Sequence, residues 1–164
     1  MNLRLAKSII LLLIVAIVGC SSDPLLNIES SPTFVMFSLD GRRQATGTDE
    51  SFRGYPVLGK IEFTKAEERA DVIAALRDGC RESLSAMAKC FWPRHAISTV
   101  QNGETIDYVI CFECHQVAIY SDSGKKVMPM KNSPQTVLDK LLQSYGIPLP
   151  PPAGTVPFPV QSGR

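Results

Sequence analysis

The chain has 164 residues, of which 45% are hydrophobic and 20% are charged, a composition that excludes global disorder. The formal net charge is +1, and it becomes −1 once Arg4 and Lys7 of the removable N-terminus are left out, with 15 basic against 16 acidic residues. A near-neutral domain without a basic cluster binds nucleic acid poorly, so no nucleic-acid partner is expected. The length predicts a single domain, with about 110 foldable residues between its two ends.

The first 19 residues have the layout of a secretory signal. Arg4 and Lys7 provide a positively charged start, and residues 9–18 form an unbroken apolar run. This run is too short to cross a bilayer, which takes about 20 apolar residues. The sequence therefore predicts an exported protein.

The end of the apolar run, Ile17-Val18-Gly19-Cys20, resembles the lipobox of bacterial lipoproteins. The resemblance implies that residues 1–19 are a signal peptide and that Cys20 is the lipidation site. Cys20 would then carry a diacylglyceryl group and an acylated amino group, with fatty acids such as palmitate. Membrane lipid is thus the first expected partner, and the cell envelope is the expected location. The alternatives are an ordinary secreted protein cut nearby and a simple N-terminal anchor helix.

The residues after Cys20 bear on where the lipoprotein would go and how far it would reach. Ser21 and Ser22 follow the cysteine, with no Asp at the second position. This resembles the pattern of lipoproteins that a Gram-negative cell sends to its outer membrane, facing the periplasm. Residues 20–32 are rich in polar and turn-forming types and are predicted to be a tether. Fully extended, it would reach about 40 Å.

Residues 33–146 are predicted to form a single α+β domain. We expect an antiparallel sheet of about five strands, with two main helices packed on one face. Asn102-Gly103 predicts a type I′ turn between two of the strands. The strands are predicted at residues 33–39, 55–63, 95–100, 105–112 and 116–120, with a weaker one at 127–130.

The two main helices are predicted from their capping signals and apolar stripes. The first covers residues 65–78 behind a capping box, and Gly79 is expected to end it. The second is predicted to start at Pro134, with Ser133 as its N-cap. A short helix is predicted over residues 81–88. The remaining residues, 147–164, hold six of the twelve prolines and are predicted to be an extended tail.

Four cysteines remain when Cys20 is assigned to lipid, and an oxidising compartment favours disulfides between them. The expected bond joins Cys90 to Cys111 or Cys114 and fastens the segment after the helices to the sheet. Such a bond closes a loop of about 20–25 residues and contributes roughly 3 kcal/mol. Cys80 continues the apolar stripe of the first helix, so it is expected to be a buried thiol or the partner of the remaining cysteine.

A second interpretation of these cysteines is haem. The segment from Cys111 to His115 has the form C-x-x-C-H and resembles the attachment motif of c-type cytochromes. The resemblance implies that haem bonds to Cys111 and Cys114 and that His115 ligates the iron, with Met128 or Met130 on the other side. The predicted strands disagree with this interpretation, because in that family the motif opens a helix.

Three other chemistries use the same residues. Cys90 and His95, together with Cys111 and Cys114, could supply four zinc ligands, with His115 as a substitute. A redox-active C-x-x-C would need a helix N-terminus to lower the thiol pKa, and none is predicted there. A nucleophilic pair of His95 with Cys111 or Cys90 is the last of these.

The expected function follows from the anchor rather than from a site. The sequence contains no glycine-rich phosphate loop, no G-x-S-x-G and no H-E-x-x-H. Its central stretch, CFWPRH…ICFEC, resembles uncharacterised exported bacterial proteins, which brings no activity with it. We therefore expect a lipid-anchored envelope protein, a structural or interaction domain without catalysis or cofactor, whose partner would be another envelope protein. The alternative is a c-type haem or metal-binding redox protein.

Overall fold

The computed structural model describes Leu25, residues 28–81 and residues 87–150. These residues form an antiparallel sheet in the order β2-β3-β1-β4-β5-β6-β7, with two α-helices on one side. The predicted α+β class is confirmed. Within the described residues, neither helix is long and apolar enough to cross a membrane. The elements are a 3₁₀ turn at Ile28–Ser30, β1 Phe34–Leu39, β2 Ser51–Phe52, β3 Tyr55–Glu62, α1 Ala66–Arg81, β4 His95–Gln101, β5 Glu104–Cys111, β6 Gln116–Ser121, β7 Gly124–Pro129 and α2 Ser133–Ser144.

The sheet has seven strands, whereas about five were expected. The missed strand β2 is only two residues long and lies within a polar loop, where no hydrophobic alternation marks it. Strand β7 begins at Gly124, three residues before the weak strand predicted there, and it pairs with β6 along its whole length. Its first four residues are exposed. An edge strand without a buried face lacks the pattern from which strands are predicted.

The β4–β5 hairpin lies at the centre of the sheet. Its turn has Asn102 at φ 53° and Gly103 at φ 84°, the two positive angles that the Asn-Gly pair predicts. The pairing runs from His95 opposite Ile110 to Gln101 opposite Glu104. This hairpin sets which side chains of the central stretch face each side of the sheet.

The two faces of the sheet carry different cores. The face under the helices holds the main core, and the opposite face holds a smaller cluster. The largest fully buried side chains of the main core include Phe34, Met36, Leu76, Ile97, Tyr108, Ile110, Phe112, Leu138 and Leu142. The smaller cluster consists of Leu39, Ala96, Val109 and Ala118, with Phe37, Phe52, Tyr55, Val57, Phe91 and Tyr120 packed against it.

Helix α1 is longer than predicted. It continues through Gly79 to Arg81, so the expected end at Gly79 was wrong. The glycine instead permits close packing of the two helices, because a Cβ there would lie 2.5 Å from Cγ of Pro134 in α2. Of the short helix predicted over residues 81–88, residues 82–86 lie outside the described residues and Met87 and Ala88 are not helical.

The described part of the segment predicted as a tether, Leu25 and residues 28–32, is docked on the domain. Leu25 and Ile28 are buried in the main core. The Arg69 guanidinium donates hydrogen bonds to the carbonyl oxygens of Ser31, at 2.7 Å, and Glu29, at 2.8 Å. The domain therefore begins before the predicted boundary after residue 32, because the polar segment contains apolar side chains that are buried in the main core.

The start of the predicted tail is also part of the domain. Gly146 ends α2 with φ 69°, and Ile147 and Leu149 then pack against the main core. The Ser38 hydroxyl donates a 2.6 Å hydrogen bond to the carbonyl of Pro148. Residues 151–164 lie outside the described residues, so the prediction of an extended tail is corrected only for residues 147–150.

Candidate functional site

Three of the cysteines meet at the turn between β5 and β6, and we call them the cysteine cluster. Cys111 and Cys114 are joined in a disulfide, with their Cα atoms 5.3 Å apart. Cys90 Sγ lies 2.8 Å from Cys114 Sγ. The bond thus differs from the expected one between Cys90 and a central cysteine, because the tight turn already brings Cys111 and Cys114 within disulfide range.

Hydrogen bonds hold the Cys90 segment against this turn. The Gln116 side-chain amide donates to the carbonyls of Ala88, at 3.1 Å, and Cys90, at 2.7 Å. The amide of Ala88 donates to the carbonyl of Cys114 at 3.1 Å. The sulfur of Cys90 is thus positioned by contacts that do not involve the sulfur. Cys80 is not part of this cluster; it lies in α1 and packs against the main core.

His95 lies on the opposite side of the sheet, under α2. It is completely buried, and its ring packs edge-on against Phe112, with centroids 5.5 Å apart. Its Nε2 lies 2.9 Å from Oδ1 of Asp139 in α2. The two atoms are at ion-pair distance without the alignment of a hydrogen bond.

The pKa values of this pair follow from burial and from the charges around it. Burial lowers the pKa of His95 below its ordinary value of 6.5, and the Asp139 carboxylate offsets this only in part. Burial alone would raise the pKa of Asp139, but His95, the positive charge of Arg94 and the Gln135 amide together lower it. We infer a neutral imidazole beside an ionised carboxylate at neutral pH.

Two further charged residues complete what we call the polar cluster: Arg94, His95, Glu113 and Asp139. Arg94 Nη1 lies 3.4 Å from Oε1 of Glu113, and Arg94 Nη2 donates to the carbonyl of Pro150 at 3.1 Å. Each of the four residues has a buried side-chain polar atom with no hydrogen-bond partner among the described residues. The polar cluster therefore contains positive and negative charges together with buried polar atoms that lack hydrogen-bond partners, and it lies next to Pro150.

The sheet separates the two clusters. Successive side chains of a strand point to opposite faces, so His95 lies with Ile110 and Phe112 on the helix side. Cys111 has the orientation of Val109, on the other side. His95 is therefore kept away from the three sulfurs with which a zinc site or a Cys–His pair would need it, and among the described residues no group of three side chains could hold a metal ion.

The haem motif also has a distinct geometry. Cys111 and Cys114 are bonded to each other, and His115 has φ 53° in the turn, where its carbonyl accepts the amide of Met130 at 2.9 Å. Met130 is fully buried in the main core, and Met128 packs at the edge of that core. The motif thus forms a tight β-turn, in place of the helix start that a c-type cytochrome uses.

Sequence reasoning missed a third arrangement, on the face with the smaller cluster. Arg53, in the β2–β3 turn, pairs with the buried Asp107 of β5 at 2.5 Å and lies 4.7 Å above the Tyr120 ring. Asp107 also accepts a 2.6 Å hydrogen bond from the Ser98 hydroxyl. In the sheet order, two strands separate β3 from β5 and three separate β3 from β6. Because Arg53 nevertheless contacts Asp107 and Tyr120, the sheet must curl strongly. A lone acid within the apolar run of β5 was the only available signal.

A groove of about 460 Å³ runs along α1, away from both clusters. Its lining includes Glu29, Arg69, Ile73, Arg77 and Arg81, with alanines along its floor. Arg69 and Arg77 bind the segment at Glu29. The groove therefore belongs largely to the docking of the N-terminal segment.

Comparison with known proteins adds no relative to these observations: no family model, no curated protein and no solved structure matches the chain. The lipobox and Cys20 lie outside the described residues. The three sulfurs of the cysteine cluster are therefore the feature that indicates what chemistry the site can perform.

Proposed function

We propose that this chain is a lipid-anchored protein of the cell envelope, held on the membrane through Cys20, whose domain serves as a structural or interaction module without catalysis. The observation that carries the proposal is the lipobox Ile17-Val18-Gly19-Cys20 directly behind a charged start and an apolar run. The acyl chains, at about 0.8 kcal/mol for each buried methylene, give firm attachment. A Gram-negative cell would hold the protein on the outer membrane, facing the periplasm.

The position of Leu25 supports a domain that stays close to the membrane. Leu25 is buried in the main core and follows Cys20 by five residues. Five extended residues span at most about 17 Å. The tether is then much shorter than the sequence pattern alone indicated, and the domain end bearing the N-terminal segment and α1 faces the lipid. A partner in the envelope would meet the other surfaces.

The cysteines support the compartment. A disulfide in a small domain is typical of oxidising environments such as the periplasm or the cell exterior. Cys111 and Cys114 are completely buried, so the bond is shielded from soluble reductants. The haem alternative would require these same two sulfurs to be bonded to a porphyrin.

Cys20→Ser tests the anchor. We expect the wild-type chain in the membrane fraction with the mass of an acylated Cys20, and the variant in the soluble fraction without that mass. Cys80→Ser is the matched control and should stay with the membrane. Membrane association of Cys20→Ser equal to that of the wild type would refute the lipid anchor. A Soret band that survives denaturation of the wild type would favour the haem alternative over a cofactor-free domain.

A further inference from the structure

We propose that the cysteine cluster is a thiol–disulfide exchange site, in which Cys90 displaces Cys111 from Cys114. Cys90 Sγ is 2.8 Å from Cys114 Sγ, in direct contact with the disulfide. Cys114 therefore has two competing partners, Cys111 in the turn and Cys90 on the segment beside it. This inference does not depend on the lipid anchor.

The exchange balances without any other reactant. The Cys90 thiolate attacks Sγ of Cys114, and a new sulfur–sulfur bond forms between them. The bond from Cys114 to Cys111 breaks, and its electron pair leaves on Cys111 as a thiolate. That thiolate takes up a proton equivalent to the one that Cys90 released. One disulfide and one thiol are present before and after, so no oxidant or reductant is consumed.

The surroundings favour both the attack and the departure. Gln116, itself 8% exposed, binds the carbonyls of Ala88 and Cys90 and so holds the attacking sulfur in place. The backbone N–H of Trp92 donates to Cys111 Sγ at 3.4 Å. A hydrogen bond to sulfur becomes stronger when the sulfur is negatively charged. The Trp92 amide therefore stabilises the Cys111 thiolate as it leaves.

Of the three residues in the cysteine cluster, only Cys90 is in part exposed to solvent. Cys111 and Cys114 are fully buried, whereas Cys90 is partly exposed. A small thiol or disulfide from solution thus meets the cluster at Cys90, and the exchange carries the reaction inward. The two disulfide isomers constrain different parts of the chain. The Cys90–Cys114 bond fastens the segment after α1 to the sheet, whereas the Cys111–Cys114 bond closes only the turn between β5 and β6.

The experiment maps the sulfurs of the full chain, purified in detergent without reductant. The protein is incubated at about pH 8, where thiols begin to ionise, quenched with acid, alkylated and digested. Trypsin leaves Cys90 in residues 90–94 and both other cysteines in residues 95–125, and cleavage after Glu113 separates Cys111 from Cys114. We expect to find two disulfides, one between Cys90 and Cys114 and one between Cys111 and Cys114. The alkylated thiol should be Cys111 in the first case and Cys90 in the second, and Cys114 should not be alkylated in either.

The time of incubation distinguishes exchange from a mixture fixed during folding, and two variants check which cysteines take part. Cys90→Ser should abolish alkylation of Cys111, because Cys111 and Cys114 then have only each other to pair with, and Cys80→Ser should leave the wild-type partition unchanged. The partition in the wild type should also respond to the time of incubation before the quench. A single linkage of either kind, unchanged through that time, would overturn the proposal. A bond from Cys80 to Cys90 would overturn it as well. The membrane fractionation is read separately, so the two proposals fail independently.

Discussion

The cysteine cluster and the polar cluster come from the same stretch of sequence and end up on opposite sides of the sheet. Cys90 and His95 are five residues apart, yet Cys90 lies by the turn with Phe91 on the face of the smaller core, and His95 is buried beneath α2. Reactive residues that are close together in the sequence therefore need not form one site in the folded protein. In a strand, the parity of the position decides which residues can meet.

The two sides also differ in how they are held together. The helix side consists of large apolar side chains from strands and both helices, with the His95–Asp139 contact enclosed among them. The other side depends on small residues of the central strands, a ring of partly exposed aromatics and the buried Asp107. We therefore expect the helix side to carry most of the stability and the other side to respond to changes in single polar contacts.

The largest expected loss of stability comes from a substitution on the helix side of the sheet. Leu142 is fully buried in α2, and Leu142→Ala should lower the free energy of unfolding by about 2–5 kcal/mol, because it removes apolar contacts and leaves a cavity. Urea denaturation followed by circular dichroism measures the loss. Val137→Ala, in the same helix but 36% exposed, is the control and should cost under about 1 kcal/mol. Equal losses for the two variants would show that α2 is not packed as described.

A smaller loss is expected on the opposite side. Arg53→Ala leaves the buried Asp107 carboxylate with the Ser98 hydroxyl as its remaining partner. A buried group left unsatisfied costs about 1–3 kcal/mol, again measured by urea denaturation. Arg43→Ala, which removes an exposed pair with Asp49, should leave the midpoint unchanged. If Arg53→Ala and Arg43→Ala behave alike, the curl of the sheet does not depend on the Arg53 contact.

The sequence was sufficient for the elements whose signals are local. The Asn102-Gly103 turn and the strands on either side of it follow from residues within one element. Helix α2 is present as its signals predict, but its N-cap is Asn132, one residue before the expected Ser133. The proximity of Cys111 and Cys114 likewise follows from a short turn. The structure joins Cys114 to Cys111 and leaves Cys90 beside them, because spacing along a chain does not rank two sulfurs that both lie near a third.

The contacts that define the polar cluster could not be predicted in the same way. Asp139 lies in a different element from His95, and no local pattern links them. The central strands gave no sign of which face each residue takes, because the end of β5 is buried on both sides from Asp107 to Cys111. A strand covered on both faces is a continuous apolar run instead of an alternating one. Only the packing of α2 against the sheet reveals the partner of His95.

The next prediction compares the two disulfide isomers of the cysteine cluster. The bond from Cys90 spans a sequence separation of 24, and that from Cys111 a separation of 3. In the chain-entropy model the longer loop gains about 1.6 kcal/mol more on oxidation. Cys111→Ser, which retains the first bond, should therefore be stabilised more by oxidation than Cys90→Ser, which retains the second. Each variant is compared with its own reduced form, so the cost of the substitution cancels. The reverse order would place Cys90 in a strained position.

The smallest expected effect is a pH dependence of the stability, which arises from His95 on the helix side. Because the pKa of His95 is lowered in the folded state, the unfolded chain binds more protons just below pH 6.5. Stability should then fall as the pH decreases from that value, by up to about 1.4 kcal/mol per pH unit. Urea denaturation at a series of pH values measures this slope.

His95→Gln should flatten the slope, since it removes the group whose protonation the fold opposes. The sign of the slope is what decides between two descriptions of the pair. If stability rises as the pH decreases below 6.5, the imidazole gains a proton on folding, and Asp139 and Glu113 outweigh burial and Arg94. The helix side would then enclose an ion pair between His95 and Asp139.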